Sequence, residues 1–183
     1  WKAHLVETLA EATATFISGE GGTRLRRRSF VTEEIEQLMA GGETVVQGAG
    51  DTVTIVAPDR AGTFSRAAGA LALRGLDVLQ ADAYSSNAGM AVSQFRVAEP
   101  DAPVDWVRVT EDVHRCLEGL LAIDARIEER AHVYRRRTAL AAKEVSTSVT
   151  FDVESATDAT IVEVRTEDHI VVLYHVTSTL AEI

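Results

Sequence analysis

Apolar positions change their spacing several times along the chain, and each change marks an element. Val53-Thr54-Ile55-Val56-Ala57 is rich in β-branched residues and stops at Pro58, as a buried or half-buried strand does. Pro58-Asp59-Arg60-Ala61-Gly62 is a turn cluster. Phe64, Ala67, Ala68 and Leu71 then recur at i, i+3, i+4 and i+7, the stripe of an amphipathic helix. Gly75 stands where a helix end favours positive φ. Leu76 to Ser85 reads as a second strand, Asn87-Ala88-Gly89 as a hairpin turn, and Met90 to Val97 as the returning strand.

The flanks read more coarsely. Leu5, Leu9, Phe16 and Ile17 recur at roughly helical spacing, and 18–28 is a loop with an arginine cluster, read as a solvated linker. Thr32 predicts the N-cap of a helix through Met39, favoured by Glu33 and Glu34 at its positive end and closed by Gly41-Gly42. Gly48-Ala49-Gly50 precedes the strand, whereas a dinucleotide fingerprint needs its glycines between strand and helix; these read as a linker. Val104 to Gly119 predicts a helix with Val109, Val113, Cys116, Leu117 and Leu120 on its apolar side and Glu111 and Asp112 on its surface. Ala122 to about Lys143 is a charged helix with interleaved signs, and Thr147 to Val153 alternates as a strand.

A repeat begins after Ala156. Ala159 to Thr166 is another strand, Asp168 opens another turn, and Tyr174, Val176, Thr177 and Leu180 predict another helix. A shift of 109 residues pairs Asp59 with Asp168 and Leu71 with Leu180. It also pairs Gly62 with Val171, which cannot take glycine's positive-φ option.

Composition narrows the class. The 183 residues are 46% apolar and 25% charged, which suits a globular protein of one domain or two small ones. A net charge of -10 argues against nucleic acid or an anionic membrane as partner. No apolar run is long enough to span a bilayer, and no signal-peptide pattern opens the chain. The single cysteine, Cys116, excludes an internal disulfide, fits a reducing cytoplasm and reads as a packed thiol.

Val53 to Phe64, Ala70 to Ser85 and Gly89 to Val97 together resemble an ACT domain. More narrowly, they resemble the first ACT domain of the bacterial PII uridylyltransferase/uridylyl-removing enzymes, in the actinobacterial form. Trp1-Lys2-Ala3-His4-Leu5 is similar to the segment that follows the metal-dependent hydrolase domain in that family, as if the chain were cut from a longer one. The resemblance implies an α+β, ferredoxin-like βαββαβ unit. Residues 1–50 would be a helical linker, 51–155 a first ACT domain whose fourth strand is Thr147–Val153, and 156–183 the start of a second. Val171 in place of glycine, with His169-Ile170 before it, departs from the family pattern and puts a second ligand loop in doubt.

The sequence shows no nucleophile elbow, Walker loop or paired-cysteine metal site, and its five histidines lack ligand spacing. Candidate chemistry therefore falls in the loop before the first helix. Asp59 either holds the ammonium of a free amino acid or caps the turn. Gly62 and Thr63 present backbone N–H groups to a carboxylate, and Arg60 is a rim contact. The resemblance implies glutamine as the ligand, the PII signal protein as partner of the parent enzyme, and possible ACT–ACT pairing. It also places nucleotidyltransferase and phosphodiesterase activities outside this stretch. Magnesium would serve those activities, with no cofactor here. Two other readings are an ACT assembly module without ligand, and the ACT domain of another amino-acid metabolic enzyme.

Overall fold

A computed structural model describes residues 30–99, 103–138, 146–153 and 160–182; the Trp1–Leu5 segment, the arginine-rich loop 18–28 and the end of the charged stretch, 139–143, lie outside them. Thr32 caps α1 (Glu33–Gly41) by accepting the Ile35 N–H at 3.4 Å, with Glu33, Glu34 and Glu36 on the first turn. Gly42 closes it at φ 73. Then come β1 (Val45–Ala49), β2 (Thr52–Pro58), α2 (Thr63–Leu73), β3 (Val78–Ser85) and β4 (Met90–Val97). At the end of α2, Gly75 at φ +77 lets its own N–H reach Ala72 O while the Leu76 N–H reaches Leu71 O, satisfying two orphan carbonyls.

The four strands form one antiparallel sheet in the order β1-β2-β4-β3. Side-chain alternation gives it two distinct faces. Val53, Ile55, Phe95 and Val97 point to the larger core, under α2 and the helices that follow. Val56, Met90 and Val92 point the other way and are covered by Ile35 and Met39 of α1. The result is an α+β architecture compatible with the ferredoxin-like plan.

Two expectations about the sheet are corrected. Gly48-Ala49-Gly50 is not a linker: Gly48 and Ala49 end β1, and Gly50, at φ 60, begins the tight turn into β2. Thr147–Val153 is not the fourth strand of the first sheet. β1 holds that edge, and β5 (Ser148–Asp152) pairs instead with β6 (Ile161–Arg165) in a separate two-stranded sheet. A hairpin closed by a two-residue turn loses far less chain entropy than a strand returning from beyond two further helices.

Those helices are α3 (Trp106–Leu117) and α4 (Ile123–Thr138), and α5 (Val172–Ala181) follows β6. Asp105 caps α3 by accepting the Arg108 N–H at 3.2 Å. Val109, Val113 and Cys116 are buried as expected. Leu120, expected inside, is 66% exposed, because α3 has ended and Gly119 at φ 73 changes the phase so that Leu121 enters the core. Asp112, expected on the surface, is buried: the Arg74 guanidinium reaches across from the end of α2, with Nε and Nη2 both 2.6 Å from Oδ2. Helices α3, α4 and α5 all pack against α2. No helix among the described residues is long and apolar enough to cross a membrane.

Candidate functional site

The loop between β2 and α2 is built by its own backbone. Pro58 ends the strand, and the Asp59 N–H is given to Gly89 O of the β3–β4 hairpin at 2.9 Å. Thr63 clamps the turn. Its hydroxyl donates to Pro58 O at 3.1 Å and accepts the Arg60 N–H at 3.3 Å, while its own N–H donates to Arg60 O at 3.0 Å. Gly62 is the N-cap of α2 at φ 81, a left-handed conformation that strains any residue with a side chain. The buried Ser65 hydroxyl returns to Gly62 O at 3.1 Å.

The structure thus brings Asp59, Arg60, Gly62 and Thr63 together at the start of one helix. Asp59 and Arg60 are exposed, and no side-chain cap bonds the first turn of α2. Capping by Asp59, one of its two readings, is therefore not adopted. The Thr63 N–H is committed within the turn. The N–H of Gly62 meets no carbonyl among the described residues, and first-turn N–H groups have no partner within a helix. Phe64 stacks on Phe95, with ring centroids 5.1 Å apart, which ties the loop to the sheet.

The equivalent loop of the second unit differs in kind. Val171, at the N-cap of α5, has φ -101 and is fully buried in the main core. His169 and His175 are exposed, with ring centroids 6.4 Å apart. Where the first loop has a half-buried glycine, the second packs a fully buried valine. No group of three or more His, Cys, Asp or Glu among the described residues could hold a metal ion.

Two sites escaped sequence reasoning. Tyr174 of α5 lies buried against α2, and its hydroxyl donates to Asp124 of α4. Burial, then that carboxylate, raises the Tyr174 phenol well above its ordinary range. The open half of the sheet's second face is a polar shelf of about 180 Å³ lined by Thr52, Gln80, Asp82, Gln94 and Arg96. The polar alternation of these strands was the available signal.

The architecture is that of an α+β unit compatible with the ferredoxin-like plan, followed by a second strand pair and helix. The chain is 32% identical to the bifunctional uridylyltransferase/uridylyl-removing enzyme of Cereibacter sphaeroides over 127 residues, 67% of this chain and 13% of the relative. The same-named enzyme of Ruegeria pomeroyi is 32% identical over 67% of this chain, and that of Gluconobacter oxydans 30% identical over 85%. This chain is homologous to one stretch of the bifunctional uridylyltransferase/uridylyl-removing enzymes, and it spans 13–16% of the length of these three relatives. No family model matches the chain, and no solved structure does.

Proposed function

We propose that this chain is a regulatory, amino-acid-sensing region of a bifunctional uridylyltransferase/uridylyl-removing enzyme. In this reading the parent attaches UMP to a PII signal protein and removes it, and its catalytic groups lie elsewhere in the polypeptide. The observation that carries the sensing role is the first loop: a left-handed Gly62 with an unspent N–H, at the positive end of α2, beside the exposed carboxylate of Asp59. A free amino acid presents the complementary pair of charges, its carboxylate to Gly62 and the helix start and its ammonium to Asp59. Arg60 stands at the rim, and Thr63 holds the turn in shape.

Glutamine is the ligand we assign, on the family resemblance. Glutamate would bring a second negative charge into a loop that already exposes the Asp59 carboxylate, so it should bind less well than the neutral amide. Binding one arrangement of the units more tightly than another would shift the parent between its two activities. Calorimetric titration of the chain with glutamine and glutamate tests the reading, with Gly62→Val as the control and thermal melts to confirm folding. Heat from glutamine that survives unchanged in folded Gly62→Val protein would place the ligand elsewhere.

A second reading is favoured by a different observation. Helix α5 of the second unit packs along α2 of the first, around Gly69 and Tyr174. An assembly module without ligand needs only that contact, and it predicts no heat with either amino acid.

A further inference from the structure

The two hairpins match pair for pair. In the first sheet Val46 faces Ile55, Gln47 faces Thr54 and Gly48 faces Val53. In the second, Val149 faces Val164, Thr150 faces Glu163 and Phe151 faces Val162. Strands β2 and β6 are related by the 109-residue repeat, so β1 and β5 hold the same register on equivalent strands. Both have five residues, with valine at one shared position and a polar residue at the next. By length and alternation either strand would fit the outer edge of β2, and the chain must choose between them.

They differ most at one position. The indole of Trp106, at the start of α3, lies on Gly48 so closely that a Cβ there would stand 2.2 Å from Cε3 and 2.3 Å from Cδ2. No side chain fits in that space. The equivalent residue of β5 is Phe151, whose ring is 68% exposed on the second hairpin. A lesser difference has the same sense: Val45 packs against the cluster under α1, and β5 offers Ser148 in its place.

We propose that Trp106 sorts the two edge strands: only a strand with glycine opposite Val53 passes beneath its ring, so β1 takes the edge of β2 and β5 is left to found the second sheet. The device works by exclusion of the wrong pairing. It keeps two similar strands of one polypeptide from exchanging places, within a chain or between neighbouring copies.

Disulfide trapping in the whole 183-residue chain tests this, with Cys116→Ala removing the only native thiol. The pair Gln47→Cys and Thr54→Cys reports β1 on β2; the pair Thr150→Cys and Thr54→Cys reports β5 on β2. The unaltered strands should cross-link only the first pair. Adding Gly48→Phe should lower that yield on the order of tenfold, and adding Trp106→Ala to Gly48→Phe should restore it, because the new ring then fills the vacated space. The exchange of Gly48→Phe with Phe151→Gly should bring up the second pair. Equal loss from Gly48→Phe with and without Trp106 overturns the proposal. So does cross-linking of the second pair in the unaltered chain, or its absence from a folded exchanged chain.

Discussion

Gly69 of α2 faces the ring of Tyr174 of α5 with no room between them: a Cβ on Gly69 would lie 2.7 Å from Tyr174 Cδ2 and 2.5 Å from Ile123 Cδ1. A glycine in mid-helix is costly by propensity, and here it is the residue that lets three helices meet. Gly69→Ala should therefore destabilise the chain by roughly 1–3 kcal/mol, overpacking outweighing the gain in helix propensity. Ile123→Val, which removes the nearer atom, should recover part of that loss. Urea titrations of the two single variants and the pair would measure the coupling.

Gly62→Ala should be destabilising for the opposite reason. Its Cβ would meet Ser65 Oγ at 3.6 Å and Arg66 Nε at 3.8 Å, ordinary contact distances, so the cost is the positive φ alone. The expected loss is roughly 1–2 kcal/mol, and somewhat more for valine. The reverse change, Val171→Gly, should also destabilise, through the vacated core at α5. A melting temperature that rises for Gly62→Ala would contradict the left-handed turn.

Arg74 and Asp112 join the ends of α2 and α3 through a pair whose carboxylate is the more buried partner. Removing the arginine alone leaves that carboxylate without its cation. Arg74→Ala should cost about 2 kcal/mol, and Asp112→Ala added to it should not double the loss, because the stranded charge is gone. Additive losses in denaturant would show that the pair is not coupled.

Alkaline pH should loosen the core. Burial, with Asp112 second, pushes the Cys116 thiol up to about 11 from 9.0, and burial also raises the Tyr174 phenol. Both groups hold their protons more tightly folded than unfolded. Their contribution is fully present below the unfolded values and is lost as pH rises through the folded ones. For Cys116 the loss, on the order of 2 kcal/mol, falls between pH 9 and 11, and Cys116→Ala should flatten the melting curve in that window. An identical pH profile for the variant would remove the thiol from the account.

The sequence announced β2, α2 and the β3–β4 hairpin because each has a clean period and a turn residue at its end. It hid β1, whose Val45-Val46 is too short a run to outweigh Gly48 and Gly50. The need for Gly48 arises from Trp106, fifty-eight positions away, and becomes visible only when α3 is placed. Asp112 was misread for the same reason, since its partner Arg74 lies on another helix. At the candidate loop, the turn at Gly62 was legible from the Pro58–Gly62 cluster, while its choice as a ligand position came from the family resemblance. The commitment of the Thr63 N–H to Arg60 O was not, because a turn's internal hydrogen bonds are set by geometry that residue types do not report.

Having β1 rather than β5 beside β2 also sets the order in which the chain can fold. With β5 at that edge, the first sheet would await a segment about a hundred residues further on, at an added closure cost of roughly 3 kcal/mol. With β1, the hairpin of Val45–Pro58 can pair as soon as it exists, and α2 can dock on it next. On a ribosome, β1 thus reaches that edge first, and Trp106 follows it to bar exchange by the time β5 emerges.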